Sequence, residues 1–253
     1  MAAATLTGVS AAVRGLFVSF EGGDGAGKST QVALLGQWLS RHGREAVLTR
    51  EPGGTPLGRT LRDAVLHGDQ LDPRTEALLY AADRAHHVAT LVRPALARGA
   101  VVVTDRYLDS SVAYQGSGRD LGADEVERLS LWATGGLLPD LTVLLDLDPA
   151  VGMTRLSGDP DRLESAGDEF HRRTRQAFLD RAAADPRRWL VLDATAPIDE
   201  LAAAVRGRVT ALLDPPGAPG TQAVAVPSSG AQAPAAPPPS AGRVPSPRAE
   251  RPS

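Results

Sequence analysis

The fold of this chain is decided by the stretch Leu16-Phe17-Val18-Ser19-Phe20-Glu21-Gly22-Gly23-Asp24-Gly25-Ala26-Gly27-Lys28-Ser29-Thr30. An apolar, aromatic and β-branched run ends in a glycine cluster, and a helical pattern begins directly after it. Residues 22–29 fit the template G-x-x-x-x-G-K-[ST], in which backbone N–H groups of a tight loop and a helix N-terminus converge on a polyphosphate. Glycine is needed because side chains would block that approach. The stretch therefore predicts a nucleotide-binding site, with Lys28 reaching the β- and γ-phosphates and the Ser29 hydroxyl binding Mg²⁺.

The composition divides the 253 residues into one folded part and two extensions. Residues 214–253 consist largely of Pro, Ala, Gly and Ser without an aromatic residue, and such a segment buries too little apolar surface to offset its ordering entropy. We predict that this tail and the N-terminal extension, residues 1–13, are disordered. Residues 14–213 have the length of one α/β domain.

Charge and residue usage exclude several classes of protein. A net charge of −3 leaves no basic surface for a nucleic acid polymer. The absence of cysteine excludes disulfides, thiolate metal sites and a cysteine nucleophile. No apolar run approaches the roughly 18 residues of a membrane helix, and residues 1–13 lack the basic start of a signal peptide. We therefore expect a cytoplasmic protein without a membrane partner.

Strand and helix patterns alternate along the folded part. The predicted strands are residues 16–21, 46–49, 100–104, 141–148 and 189–192. The predicted helices are residues 28–42, 57–66, 73–97 with a kink or break near Pro94, 109–115 followed by a glycine loop through Gly118, 123–134, 149–156, 168–184 and 199–213. This alternation predicts a parallel five-stranded sheet with helices on both faces.

In such sheets ligands bind beyond the carboxyl ends of the strands. The phosphate-binding loop, Arg50-Glu51, Asp105-Arg106 and Asp193 all fall at the ends of predicted strands and are expected to meet in one crevice. Arg50, Arg84 and Arg106 offer planar donors to phosphate, which indicates a second phosphate-bearing ligand. A surface salt bridge is the alternative for each of them. The Asn-Lys-x-Asp segment that reads guanine in GTPases is absent.

Six segments together resemble bacterial thymidylate kinase. They are residues 17–31, Thr49-Arg50-Glu51-Pro52-Gly53-Gly54-Thr55, Tyr80-Ala81-Ala82-Asp83-Arg84, Thr104-Asp105-Arg106-Tyr107, Ala113-Tyr114-Gln115-Gly116 and Leu145-Asp146-Leu147-Asp148-Pro149. The resemblance covers residues 15–213. It implies a P-loop nucleoside monophosphate kinase architecture, transfer of phosphate from ATP with Mg²⁺ to dTMP, and a homodimer.

The resemblance also implies roles for individual residues. ATP would be held by Gly22, Gly23, Asp24, Gly25, Ala26, Gly27, Lys28 and Ser29, with Asp193 beside the adenine. Arg106 would clamp the dTMP phosphate with Arg50 close by, Tyr80 would stack on thymine, Arg84 and Ser111 would contact the base, Tyr114 would crowd the 2′ position, and Asp24 would lie near the 3′-hydroxyl. The metal would be held by Ser29, by Asp105 through water and by Asp24.

Some of these assignments have structural alternatives. Tyr80 and Tyr114 are also suited to packing in the core. Asp146 and Asp148, at the end of the fourth predicted strand, could serve the metal instead of Asp105, which we prefer because an arginine follows it directly.

A lid is expected at residues 157–167, whose Gly, Asp and Pro content separates two helices. Relatives with glycine at the position of Gly25 tend to carry their transition-state arginine in the lid. Arg162 is our choice for this catalytic role, beside Lys28, Arg106 and Asp105, because Asp161-Arg162 aligns with a basic lid pair. Arg155, Arg172 and Arg173 remain open.

Two other functions fit parts of the pattern. One is a kinase of another nucleoside monophosphate or of a deoxynucleoside, which a panel of acceptors separates from a dTMP kinase. The other is a nucleotide-dependent switch without transfer activity. Asp105 and Arg106 argue against the switch, because a switch needs no clamp for an acceptor phosphate.

Overall fold

A parallel sheet of five strands carries the fold in the computed structural model, which describes residues 15–157 and 161–214. The strands are β1 (Leu16–Glu21), β2 (Ala46–Arg50), β3 (Val101–Asp105), β4 (Leu141–Asp146) and β5 (Trp189–Asp193). Their order across the sheet is β2-β3-β1-β4-β5, and every neighbouring pair is parallel. The predicted fold class is confirmed. The predicted extensions, residues 1–13 and most of 214–253, lie outside the described residues.

Nine α-helices connect and cover the strands in the described part of the chain. They are α1 (Lys28–Arg41), α2 (Pro56–His67), α3 (Pro73–His87), α4 (Arg93–Ala97), α5 (Leu108–Ser111), α6 (Ala123–Thr134), α7 (Pro149–Arg155), α8 (Asp168–Ala184) and α9 (Ile198–Leu213). Side-chain caps start three of them, since Thr55, Asp72 and Asp148 accept bonds from backbone N–H groups of the first turns of α2, α3 and α7. No helix in residues 15–157 or 161–214 is long and apolar enough to cross a membrane.

The two faces of β1 show how the sheet is buried. Leu16, Val18 and Phe20 point into a core that includes α1 and α9. Phe17, on the opposite face, packs into a second core with α4 and with Val88 and Val92, which precede α4. Because every residue of β1 is buried, its sequence is apolar almost throughout and does not alternate.

The register brings the strand ends to one edge. Phe20 of β1 and Arg50 of β2 both pair with Asp105 of β3, and Asp146 of β4 pairs with Asp193 of β5. The predicted crevice beyond the carboxyl ends of the strands therefore exists as one continuous edge.

Two segments differ from the predicted helices. The long helix after Asp72, for which a kink or break is predicted near Pro94, widens into a π-helical turn, Val88–Val92, and continues as α4. Proline has no N–H for the regular helical bond and its ring crowds the preceding turn, and the wider turn relieves both problems. The predicted glycine loop through Gly118 is instead a π-helical segment, Val112–Gly118, which continues α5.

Candidate active site

The phosphate-binding loop lies between β1 and α1, and neighbouring backbone leaves no room for side chains at two of its glycines. Gly22 has φ +130°, and a Cβ there would lie 2.4 Å from the Leu145 carbonyl oxygen. Gly25 has φ +74°, and its Cβ would lie 2.3 Å from the Gly152 oxygen. The glycines are therefore required by the packing of β4 and α7 against the loop as well as by ligand approach.

Lys28 begins α1 and turns back over the loop. Its Nζ donates to the carbonyl oxygens of Gly22 at 3.1 Å and Gly23 at 2.7 Å. Burial, followed by the charge of Arg106, lowers the pKa of Lys28. The ammonium group thus lies at the mouth of the loop, where the phosphates of a nucleotide would replace these carbonyl partners.

Ser29 and Asp105 come together as candidate metal ligands. The Ser29 hydroxyl donates to Asp105 Oδ2 at 2.8 Å, across 76 positions of sequence. Among the described residues no group of three or more carboxylate, imidazole or thiol side chains could hold a metal by itself. One hydroxyl and one carboxylate nevertheless fit Mg²⁺, which is usually held by one or two carboxylates together with substrate phosphates and water.

Arg106 joins the loop to a second pocket. Its Nη1 donates to the Gly22 oxygen at 3.0 Å and to Ser110 Oγ at 3.1 Å, and its Nη2 contacts Asp24 Oδ1 at 2.5 Å and Tyr114 Oη at 3.2 Å. Its guanidinium also lies 4.9 Å from the centre of the Tyr114 ring. The backbone at Arg106 has φ +71°, a strained conformation for a non-glycine residue. A strained residue held by this many contacts is a candidate functional residue.

Asp24 is the only acidic residue inside the phosphate-binding loop. Burial alone would raise its pKa, but the charges of Arg106 and Lys28 hold the pKa of Asp24 at about 2. Its second oxygen accepts from the Tyr114 hydroxyl at 3.3 Å. Asp24 is therefore ionised at neutral pH and lies between the loop and the second pocket.

The second pocket gathers most of the predicted acceptor residues. Its walls include Asp24, Tyr80, Arg84, Arg106, Ser111 and Tyr114. Tyr80 and Tyr114 also belong to the core around α8. Both residues therefore pack in the core, as the structural alternative predicts, and also form part of the pocket wall. The exposed Arg50 lies apart from this pocket, on the phosphate side, with Lys28 and Ser29.

Arg84 is buried and donates to four acceptors. Its Nε donates to Glu51 Oε2 at 2.7 Å, its Nη1 to Ser130 Oγ at 3.2 Å, and its Nη2 to Ser111 Oγ at 3.0 Å and the Tyr107 oxygen at 3.3 Å. The guanidinium is thus fixed in the pocket wall by groups from three separate segments.

The candidate lid arginines lie in different places. Arg162 donates from Nε to the Val65 oxygen at 2.8 Å and pairs with the buried Glu76 at 2.9 Å, on the acceptor side. Arg155 lies against the phosphate-binding loop, with Nη1 3.4 Å from the Gly25 oxygen. Arg172 pairs with Glu169 at the surface, and Arg173 donates to the Gly118 oxygen. The structure brings Arg155, and not Arg162, to the loop.

Other predicted residues at the strand ends already have partners. Arg175 makes a bidentate pair with Asp146, at 2.7 and 2.9 Å, and contacts Asp148 at 3.4 Å. Asp193 accepts from the backbone N–H and hydroxyl of Thr195, which lower its pKa. The segment after Asp193 lines a cleft beside residues 25–27 of the loop.

Sequence reasoning missed several residues of the site. Glu21 is fully buried at the end of β1 and accepts from Tyr107 N at 2.8 Å and Ser110 Oγ at 2.6 Å. Arg62 donates to the Pro52 oxygen and lines both pockets. A glutamate that ends an otherwise apolar strand is a signal that could have identified Glu21, whereas Arg62 stands on a helix without any such signal.

A phosphate-binding loop that faces a second, arginine-lined pocket defines a kinase of small phosphorylated acceptors, the class of the P-loop nucleoside monophosphate kinases. Comparison with known proteins makes the class specific. A sequence model of the family described as thymidylate kinase matches residues 20–205. The chain belongs to this family.

Individual relatives agree over most of the folded part. The thymidylate kinase of Clavibacter michiganensis subsp. michiganensis (strain NCPPB 382) is 62% identical over 203 residues, which cover 79% of this chain and 96% of that protein. The thymidylate kinase of Bifidobacterium longum (strain NCC 2705) is 57% identical over 205 residues, covering 79% of this chain and 100% of the relative. That of Deinococcus radiodurans is 53% identical over 200 residues, covering 78% and 97%. The activity is accordingly the ATP-dependent phosphorylation of dTMP to dTDP.

Proposed function

We propose that the phosphate-binding loop holds ATP and that the second pocket, from here on called the acceptor pocket, holds dTMP. The two nucleotides would lie end to end, so that phosphate passes directly and in line from ATP to dTMP. The observation that carries the proposal is Arg106, which contacts Gly22 and Asp24 of the loop and also Ser110 and Tyr114 of the acceptor pocket. A group held in this way can align the dTMP phosphate with the γ-phosphate. The acceptor oxygen is already anionic, so positioning and charge neutralisation carry the reaction without a general base.

On the donor side, the backbone N–H groups of residues 22–29 hold the ATP phosphates, and Lys28 exchanges its carbonyl partners for phosphate oxygens. Ser29 and Asp105 would hold Mg²⁺, Asp105 through water, and Asp24, which lines the same cleft, would also contribute. When bound, the metal neutralises phosphate charge. Asp193 and the segment after it stand beside the adenine.

On the acceptor side, Tyr80 stacks on thymine, while Arg84 and Ser111 contact the base. Arg50 lies at the phosphate end, on the donor side of Arg106. Tyr114 fills the space beside the sugar, because its hydroxyl is held by Arg106 and Asp24. A ring fixed there favours deoxyribose over ribose.

The transition-state arginine is proposed to be Arg155. Its position against Gly25 supports this role, since a developing charge on the γ-phosphate would lie within the loop that Gly25 helps to form. Arg162, our choice from the sequence, remains a prediction, and the role would require it to leave Glu76. Asp161 and Leu163 of the lid line the acceptor pocket, in keeping with a lid that excludes water.

A homodimer is proposed through α3 and α6. These helices pack together and expose a groove lined by Leu78, Val126 and Leu129. Leu78 is 57% exposed, and Trp132, a neighbour of Leu129 on the surface of α6, is 82% exposed. Such apolar exposure is typical of a protein interface. Sedimentation of the full chain as a monomer at micromolar concentration would contradict the dimer.

A panel of acceptors tests the arrangement of the two pockets. With ATP and Mg²⁺, we expect transfer to dTMP and none to thymidine, because Arg106 needs a 5′-phosphate to align. AMP and CMP are expected to be poor acceptors, since Tyr80 and Arg84 are proposed to form a site that is specific for thymine. Phosphorylation of thymidine at the rate of dTMP would contradict the proposed role of Arg106, and preference for AMP or CMP would contradict the proposed base site.

A further inference from the structure

A continuous chain of hydrogen bonds runs from β2 into the acceptor pocket. Thr49 Oγ1 lies 2.7 Å from His87 Nε2, and His87 Nδ1 lies 2.7 Å from Glu51 Oε1. The other oxygen of Glu51 accepts from Arg84 Nε, also at 2.7 Å. We call these four residues the Thr49–Arg84 relay. His87, Glu51 and Arg84 are buried, and Thr49 is half-buried.

The chemistry of the partners sets the direction of the hydrogen bond between His87 and Glu51. An ionised Glu51, paired with Arg84, can only accept, so Nδ1 of His87 carries the proton toward it. Nε2 of the same ring is hydrogen-bonded to the Thr49 hydroxyl, so both ring nitrogens of His87 are engaged. Each hydrogen bond therefore depends on the next one.

Gly54, in the loop that follows β2, lies against the Thr49–His87 hydrogen bond of the relay. A Cβ on Gly54 would lie 2.4 Å from Thr49 Oγ1 and 2.8 Å from His87 Nε2. No side chain fits at this position without displacing the Thr49–His87 bond. The backbone at Gly54 thus lies directly against the relay, and Glu51 of the relay lines both pockets.

The relay acts on Arg84, which lines the acceptor pocket. A long arginine side chain loses considerable rotamer freedom when it is ordered, and a free one would bear that loss at the moment of substrate binding. Here Glu51, Ser130, Ser111 and the Tyr107 oxygen order the guanidinium in advance. Of these partners, Glu51 alone is charged, and its second oxygen is held by His87.

We propose that His87 is a positioning residue for recognition of dTMP, which fixes Arg84 in the acceptor pocket through Glu51. His87 is fully buried and is not among the residues that line the acceptor pocket. The proposal rests on the role of Arg84 proposed above. In the described part of the chain, Glu51 is hydrogen-bonded to the donor side only through its backbone, whose N–H donates to the backbone carbonyl oxygen of Asp105 at 3.0 Å. Loss of His87 changes the side chain of Glu51 and therefore leaves the residues around the ATP phosphates in place. The effect therefore falls on the KM for dTMP.

Two substitutions of one histidine provide the test. In His87→Asn the amide nitrogen takes the place of Nδ1 and keeps the donor to Glu51. In His87→Gln the amide reaches toward Thr49 and the donor to Glu51 is lost. We expect His87→Gln to raise the KM for dTMP about tenfold, as is usual for partners that orient a binding group, while kcat and the KM for ATP stay within about twofold. His87→Asn is expected to stay within about threefold of the wild type in all three constants.

His86→Gln is the matched control, because it makes the same change one residue earlier, on the half-buried neighbour. It is expected to leave the three constants unchanged. Should His87→Gln fail to fold by circular dichroism, Thr49→Val removes the other end of the relay at a half-buried site, and we expect it to raise the KM for dTMP about threefold.

The proposal is overturned if the folded His87→Gln or Thr49→Val enzyme keeps the wild-type KM for dTMP. It is also overturned if kcat and the KM for ATP change as much as the KM for dTMP, or if His87→Asn is no better than His87→Gln. Arg84→Lys separates this failure from that of the proposed function. If Arg84→Lys leaves the KM for dTMP unchanged, the role of Arg84 is wrong; if it raises this KM and His87→Gln does not, only the relay is wrong.

Discussion

The donor and acceptor halves of the site are built in opposite ways. On the donor side, Ser29 and Arg50 are exposed, and Lys28 bonds only to backbone carbonyls that a nucleotide can replace. On the acceptor side, Arg84 and Glu51 are buried and bonded to each other. The charged side chains of the donor half are thus free to bind a ligand, whereas in the acceptor half the charges of Arg84 and Glu51 are paired with each other and stabilise the pocket wall.

The difference has a consequence for binding. A wall that is ordered before the ligand arrives loses little conformational entropy on binding, and its shape selects the base. The donor loop needs less selectivity, because backbone N–H groups recognise phosphate in any nucleoside triphosphate. Discrimination between nucleotides therefore belongs to the acceptor half, and charge neutralisation belongs to the donor half.

The largest expected effect separates two arginines that belong to different halves. Arg155→Ala should lower kcat about 10³-fold, because in the proposed arrangement it removes the charge that lies against Gly25, beside the γ-phosphate of bound ATP. Arg162→Ala should change kcat far less and should instead lower the melting temperature, since Glu76 loses one of its partners at a cost of about 1–3 kcal/mol. Steady-state kinetics and thermal unfolding of both variants decide the matter. If Arg162 supplies the catalytic charge, as its place in the sequence indicates, the two kinetic results will be reversed.

A second prediction concerns the donor half alone. Lys28→Met should lower kcat about 10²- to 10³-fold, as expected when one prearranged donor to the reacting phosphates is removed. Binding of dTMP in the absence of ATP, measured by calorimetry, should remain as in the wild type. Loss of dTMP binding in a folded Lys28→Met protein would show that the two halves are not independent.

A smaller effect, on the pH dependence of stability, is expected at Glu21, which ends β1 directly before the phosphate-binding loop. Burial, together with the charge of Asp109, raises the pKa of Glu21 from an ordinary 4.5 to about 8. Between these values the folded state binds more protons than the unfolded state, so the free energy of unfolding decreases as the pH rises, by at most about 1.4 kcal/mol per pH unit for one group. Glu21→Gln removes this slope, and its stability relative to the wild type should rise from pH 5 to pH 8.

Thermal or urea unfolding across that range measures the change. Glu45→Gln is the matched control, because Glu45 is exposed and pairs with Arg98 at the surface. A wild-type stability that follows the same pH dependence as Glu21→Gln would contradict the buried, protonated Glu21.

The donor half could be predicted from the sequence because it is local. Residues 22–29 are contiguous, and their template reflects what backbone geometry needs near phosphate. Asp105 and Arg106 could also be predicted. They stand at the end of a clearly apolar strand, and the fold class determines the direction of that strand.

The acceptor half could be predicted only as a set of residues, without its connections. Glu51 and His87 are 36 positions apart, and Glu76 and Arg162 are 86 apart, so no local pattern indicates that they pair. The π-helical segment Val112–Gly118 was equally hidden, because its glycines resemble those of a loop and only packing against α6 and α8 shows the wider turns. Tertiary contacts also pair Arg162 of the predicted lid with Glu76, and the sequence around Arg162 does not indicate this partner.

The central claim is that Arg106 joins the two halves by holding the phosphate of dTMP. Arg106→Lys keeps the charge and an unbranched side chain at this strained position but loses the paired donors of the guanidinium. The most direct measurement is a calorimetric titration of this variant with dTMP and, separately, with a non-hydrolysable ATP analogue. We predict that the affinity for dTMP falls about tenfold or more, equivalent to about 1.4 kcal/mol, while the affinity for the ATP analogue changes less than about twofold. An unchanged affinity for dTMP, or an equal loss for both nucleotides, would contradict the claim.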